Sequence, residues 1–262
     1  AACRKMKQVI QSQLAECQFV TRGRRMIRDA CRYGTGILFG PVSTVKVQRR
    51  FRGQNMEMIV KEVPIPELQH GDPWCFFPDM VPHIEKAEFV FYLHLKSARE
   101  VQELATSPGF DKKEIIALLK EDPNLGELKV NLAYRNNNLE RIEPTTNRYA
   151  VWRYTGSLDH KDLKALSSKF LDFKDDLESV DYDCSCDEDE LQTIPMVDLW
   201  YCQGHILKAR IRPIEKDFRV PYYVYSPFPA DDTMFGYGIP YLCRDSQRVV
   251  DASWQIALHN SS

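Results

Sequence analysis

Apolar positions set the chain's grammar. Met6, Val9, Ile10, Leu14, Cys17 and Val20 recur at helical spacing. After Thr21-Arg22-Gly23 the pattern resumes with Met26, Ile27, Ala30 and Cys31, so residues 2–34 read as one or two helices. Gly34-Thr35-Gly36 ends them and opens a strand at Ile37-Leu38-Phe39. Thr44–Phe51 then alternates, residues 52–55 turn, and Met56–Val63 returns, which predicts a hairpin. Ser97…Glu100 and Asp111…Glu114 have the spacing of capping boxes and predict short helices over 98–106 and 112–121. Residues 123–147 are polar and Asn-rich, the composition of a loop. A strand over 148–154 and a helix over 159–171 follow. A second hairpin, 196–202 with 205–211, turns at Gln203-Gly204.

The last forty residues carry the strongest signal. An aromatic strand beginning at Pro221 runs into Gly236-Tyr237-Gly238-Ile239-Pro240, and a long helix follows. Two glycines suit a sharp corner, and Pro240 suits a first helical turn, where its missing N–H is not needed. Leu242, Val249, Val250, Trp254, Ile256 and Leu258 put apolar side chains on more than one helix face. In a monomer that pattern means a buried helix; in a ring it means packing on neighbours on both sides, with polar residues such as Gln247, Arg248 and Asp251 left near a lumen or an outer rim. The chain stops inside this helix without a stop signal, which predicts a piece of something larger. The fold expected is α+β, with helices packed around antiparallel hairpins and a long C-terminal helix. Its parts are an α+β domain over 1–235 and a hinge with the start of a helix over 236–262.

Composition narrows function. The chain has 262 residues, 44% hydrophobic and 27% charged, with a net charge of −2. That is an ordinary folded chain, and it excludes a wholly basic nucleic-acid binder. Charge is uneven: residues 1–50 hold eleven Lys/Arg and two acids, and residues 175–190 hold nine acids and no base. Arg25, Arg28 and Arg32 share one helix face at i, i+3, i+7. They suit phosphate contact without sequence readout, or a solvated or intersubunit strip, and no aromatic platform interleaves them. No apolar run is long enough to span a membrane. Eight scattered cysteines in a chain of this size point to free thiols in a reducing compartment.

Candidate chemistry does not cohere. The acidic run after Asp175 has Cys186 where a calcium-binding loop needs Gly, and reads as a solvated loop. Cys184, Cys186, Cys202 and His205 offer four soft zinc ligands at an unusual spacing, and Cys202 also fits as a strand residue. Asp79 with Asp111 and Lys113 caricatures a magnesium nuclease, but Asp111 has a capping role to fill. No phosphate loop, nucleophile elbow or dinucleotide fingerprint occurs. The expectation is no enzyme, no metal and no cofactor.

Three segments resemble tailed-phage portal proteins of the short-tailed type. They are Cys31–Leu38, a helix running through Gly-x-Gly into a strand; Asp72–Asp79 with Ala87–Val90 and the two capped helices; and Gly236–Pro240 with Asp245–Arg248. The resemblance implies the wing and the beginning of the stem, with clip and crown beyond residue 262. It implies a ring of twelve subunits at a capsid vertex of the virion, assembled in the host cytoplasm, with double-stranded DNA passing through without sequence recognition. Capsid protein, packaging motor ATPase and tail adaptors would be its partners, and the ring itself would hydrolyse nothing. The competing readings are another virion or assembly protein and a metal-dependent nucleic-acid enzyme.

Overall fold

A computed structural model describes residues 2–52, 57–107, 109–123, 148–180, 182, 195–212 and 220–260. They form helices and antiparallel sheets, an α+β fold that ends in a long helix. Backbone packing divides the chain into two compact units. The first is Ala1–Trp74, Met80–Lys86 and Pro221–Ser262, and the second is Cys75–Asp79 and Ala87–Val220.

In the first unit, α1 (Ala2–Glu16) and α2 (Phe19–Tyr33) are separated at Gln18, which takes a left-handed conformation at φ 54°. Gly34 at φ 92° closes α2 and donates its N–H to the Ala30 carbonyl, a position that disfavours any side chain. Strands β1 (Gly36–Arg52) and β2 (Glu57–Gly71) pair antiparallel from Ile37↔Gly71 to Arg52↔Glu57, with an irregularity between Phe39 and Val42. The expected hairpin is therefore the far end of a much longer ribbon. Strand β8 (Tyr222–Tyr225) adds to β1, giving the order β2-β1-β8. Cys17, Ala30, Ile37, Leu38, Phe39, Leu68, Tyr222 and Met234 are buried apolar groups here. Helix α7 (Ile239–Asn260) completes the unit.

The second unit is a five-stranded antiparallel sheet in the order β3-β4-β5-β6-β7. Its strands are β3 (Phe76–Pro78), β4 (Phe89–Lys96), β5 (Tyr149–Ser157), β6 (Met196–Cys202) and β7 (His205–Arg212). The β6–β7 turn has Gln203 and Gly204 both at positive φ, which matches the twist of a two-residue hairpin. Alternation along β5 sends Tyr149 and Val151 to one core and Ala150 and Trp152 to another. Helices α3 (Ala98–Leu104) and α4 (Lys112–Leu118) supply Val101, Ile115 and Leu118 to the first of these cores. Helices α5 (His160–Lys169) and α6 (Leu171–Ser179) pack Leu163, Leu166, Phe173 and Leu177 on Val197, Ala209 and Ile211.

Two local expectations are corrected. Ser97 and Glu100 do form a reciprocal capping box, but Asp111 caps α4 alone, through the Lys113 N–H. Glu114 turns away to hydrogen-bond His205 and pair with Lys169. The helix expected over 159–171 breaks at Phe170, whose extended backbone starts α6. The break lets both short helices rest their apolar sides on the same strand pair. The expected loop at 123–147 lies outside the described residues beyond Asp122-Pro123.

Candidate functional site

The C-terminal helix and the corner that launches it form the most distinctive constellation of the first unit. Residues 228–237 fold as a small hairpin: Tyr237 N–H donates to the Phe228 carbonyl at 2.9 Å, and Ala230 N–H to that of Phe235 at 3.0 Å. This hairpin is tied to the end of α2. Ser226 Oγ donates to the Gly34 carbonyl at 2.8 Å, and Gly236 N–H donates to Thr35 Oγ1 at 3.1 Å. The glycines act by absence of a side chain. A Cβ on Gly34 would meet the Gly236 carbonyl, one on Gly236 would meet Ser226 Oγ and the Phe228 carbonyl, and one on Gly238 would meet the Arg32 carbonyl. Gly236 and Gly238 are not among the residues at positive φ, so they serve close backbone approach and not the turn itself. Tyr241 and Leu242 N–H groups donate to the Gly238 carbonyl at 3.1 and 3.2 Å, and Pro240 sits in that first turn.

Beyond the corner, α7 is exposed at every position from Ile239 to His259. Leu242, Val249 and Ile256 fall seven residues apart, as do Cys243, Val250 and Ala257. That spacing makes two adjacent apolar rows nearly parallel to the axis, with Ser246 and Ser253 between them. Trp254 flanks one row and is 70% exposed. The opposite side carries Arg244, Gln247, Arg248, Asp251, Gln255 and His259. Gln247 donates to Asp251 at 2.9 Å, and Arg248 pairs with Asp245 at 3.7 Å. The expected scatter of apolar residues is thus a broad apolar side against a polar strip, with Tyr241 and Leu258 as strays.

Arg25, Arg28 and Arg32 lie exposed on α2. Arg28 reaches Asp29 at 4.0 Å, and Arg32 lies 5.2 Å from the Tyr33 ring centre. Asp29 faces inward and bonds His70 on β2 at 2.6 Å. This buried pair was missed in the sequence. Its only signal is an acid next to the buried position Ala30 in an otherwise basic helix.

Two of the four zinc candidates, Cys202 and His205, lie among the described residues. Cys202 is buried against Tyr149, Val151 and Leu207, and burial, then Glu121, pushes its thiol up to about 12. His205 instead sits between two carboxylates, Glu114 at 2.7 Å and Glu121 at 3.3 Å. Those bonds, Glu114 first, raise its pKa, and Glu114 is lowered in return, chiefly by His205. Cys184 and Cys186 lie outside the described residues. Of the nuclease candidates, Asp111 caps α4, and Asp79 donates its backbone N–H to the Phe89 carbonyl. Among the described residues no group of three or more His, Cys, Asp or Glu is placed to hold a metal ion. No helix of the described residues is long and apolar enough to cross a membrane.

A polar network unseen in the sequence lies inside the second unit. Arg153 on β5 makes two hydrogen bonds to Asp198 on β6, at 2.7 and 2.8 Å, and both side chains are buried. His94 on β4 stacks on Trp200 at 5.0 Å and 4°, and Arg153 lies 5.2 Å from the same indole. Burial first, then the charges of Lys96 and Arg153, lower His94 to about 3. The imidazole is therefore neutral, and its Nε2 is shut off from water without a partner. This network ties three strands together. Neither a scan against protein-family models nor a search of curated proteins finds a match for this chain.

Proposed function

We propose that this chain is a structural subunit of a tailed-phage portal, a ring at a capsid vertex through which double-stranded DNA is packaged and ejected. One observation carries the reading: a long helix leaves a rigid glycine corner and exposes its apolar side along its whole length. Eight large apolar side chains on α7 are 45–70% exposed: Ile239, Tyr241, Leu242, Val249, Val250, Trp254, Ile256 and Leu258. At roughly 100 Å² each they offer about 800 Å², one partner's share of a standard interface. All but Tyr241 and Leu258 share the apolar side, about 600 Å² at the same figure, and a patch of that size marks a contact surface. A ring supplies that contact, because each subunit meets its neighbours through two different patches.

The polar strip bearing Gln247, Arg248 and Asp251 would then line the lumen or the outer rim. Arg25, Arg28 and Arg32 would meet a neighbour or passing phosphates. The subunit does no chemistry itself. Capsid protein, motor ATPase and tail adaptors are its partners in this reading, and twelve is its ring number.

Electron microscopy of the full-length gene product tests it. Closed symmetric rings are expected, and cysteines placed singly along 241–258 should cross-link between subunits. Val250→Asp should leave the monomer's melting temperature within a degree or two and abolish rings. A full-length product that stays monomeric at high concentration overturns the proposal. Open or two-fold assemblies would instead indicate a different assembly protein.

A further inference from the structure

The second unit carries an apolar cleft that the α7 argument does not use. It is about 590 Å³ and is lined by Phe77, Phe91, Trp152, Tyr154, Leu199 and Tyr201, with Leu158 at its end, and the surface it presents is carbon only. The register explains it. Phe91 lies opposite Tyr154, and Trp152 opposite Tyr201, so β4, β5 and β6 turn aromatic side chains to one face. Helices α5 and α6 cover Val197, Ala209 and Ile211 on this unit but leave Phe77, Phe91 and Tyr201 exposed. The volume lies in the range of formed binding pockets. A lining without polar atoms would not orient a polar ligand, so the cleft suits apolar side chains.

Its rim is acidic. The Glu88 carbonyl accepts the Ser157 N–H at 3.3 Å, which sets Glu88 beside Leu158 and Asp159. Glu88, Asp159 and Asp162 are all exposed, with Lys161 the base among them. After burial, Asp159, Asp162 and Glu88 in that order push the Tyr154 phenol up to about 12, so their field reaches the cleft wall.

The complementary shape stands on α1. Residues 3–16 are all exposed, and Met6, Val9 and Ile10 form an apolar row at i, i+3, i+4. Lys5 and Lys7 lie about 100° to either side of Met6 around the helix, so bases flank the row on both edges. Arg4 adds to them, and Glu16 is the helix's only acid. The row is an apolar ridge between basic flanks, and the cleft is an apolar trough with an acidic rim. Helix α7 fits less well, because its two arginines and two aspartates cancel.

We propose that α1 of one copy of this chain docks, through Met6, Val9 and Ile10, into the aromatic cleft of a second copy, with Lys5 and Lys7 against Glu88, Asp159 and Asp162. The contact is heterologous, ridge to trough, and propagates from copy to copy into a ring or filament. It rests on self-association, as the portal reading does, but not on α7.

Charge exchange in the full-length protein tests it. Lys5→Glu/Lys7→Glu and Glu88→Lys/Asp162→Lys alter exposed side chains, and circular dichroism with melting curves establishes that each variant folds. Each alone should self-associate at least about 10-fold more weakly than the parent, and an equimolar mixture should regain most of the loss. A photo-cross-linker at Val9, in mixed light and heavy isotope-labelled protein, should give light–heavy products on peptides holding Phe91, Trp152 or Tyr201. Parental self-association in both variants, cross-links confined to one chain, or a parent that stays monomeric each overturns the inference. Rings that survive both variants sink this contact and leave the portal reading standing. Non-ring oligomers that respond to the exchange do the reverse.

Discussion

Replacing His94 with Phe should remove a specific dependence of stability on pH. The ring stacks on Trp200 at 5.0 Å and 4°, a geometry that a phenyl ring can keep. Part of the residue reaches the surface, but Nε2 is sealed and unpaired, and the side chain is lowered from 6.5 to about 3. As pH falls through 6.5, the unfolded chain takes up a proton at this site and the folded chain does not. The unfolded state then binds more protons, so stability falls with pH until the folded value is reached. Each unit below 6.5 costs about 1.4 kcal/mol, and at about pH 5 the site has cost about 1–2 kcal/mol, allowing for the ring's partial exposure. Phe does not titrate, and it removes an orphan buried nitrogen worth about 1 kcal/mol.

His205 works in the opposite sense. Its folded pKa is raised by Glu114 and Glu121, so its contribution is present below the unfolded value and lost as pH rises through the folded one. The parent alone can therefore look flat, and only the difference between parent and variant isolates His94. The assay is urea unfolding followed by tryptophan fluorescence at about pH 7.5 and about pH 5. The variant should equal or exceed the parent at the higher pH and lead it by a further 1–2 kcal/mol (roughly) at the lower. Equal losses in both proteins would refute the neutral, desolvated imidazole.

Three further outcomes follow from the same geometry. Gly236→Ala should cost about 2–3 kcal/mol, because the new Cβ meets Ser226 Oγ and the Phe228 carbonyl. Gly23→Ala in α2, where nothing lies within 4 Å, should instead gain about 0.5–1 kcal/mol, and melting curves would show both. Asp198→Asn should lose about 1–3 kcal/mol in chemical denaturation by removing the charge from a buried carboxylate that accepts two hydrogen bonds from Arg153. Alkylation at mildly alkaline pH, mapped by mass spectrometry, should mark exposed Cys3 and Cys243 and spare Cys202, whose thiol is pushed up to about 12.

Local signals in the sequence translated directly. The ribbon of β1 and β2 showed itself by alternation, the β6–β7 turn by Gln203-Gly204, and α3 by its capping box. Strand β4 did not show itself. Phe89-Val90-Phe91-Tyr92-Leu93 has no polar alternation, because side chains on both of its faces meet other groups. Glu114 misled because a capping position also lay within reach of His205, 91 residues away. Asp29–His70 and Arg153–Asp198 are 41 and 45 residues apart, and nothing local pairs them. Once the register is known, the second pair follows: Asp198 lies opposite Thr155, two positions from Arg153 on the same face. The aromatic cleft was equally hidden, since its walls come from four separate strands and from Leu158, between β5 and α5.

The electrostatics of α7 bear on what a stem helix would do. Its apolar side, about 600 Å² of it, corresponds to about 15 kcal/mol of transfer free energy left unrealised in the isolated chain, an upper figure. A solitary helix of 22 residues gains little stability from backbone bonds alone. In the proposed ring, burial on neighbours would outweigh them and would fix which side faces outward. What remains is the strip of Arg244, Gln247, Arg248, Asp251, Gln255 and His259. Its charges are satisfied within the helix, Gln247 on Asp251 and Arg248 on Asp245, and α7 carries two Arg against two Asp. With Asp245 beside the strip the helix nets to zero, so it releases few counterions on meeting a phosphate backbone and binds DNA weakly and with little salt dependence. In the proposed ring that favours a channel over a clamp: the duplex can slide past α7 without being held, and any grip must come from a part of the subunit with unbalanced positive charge.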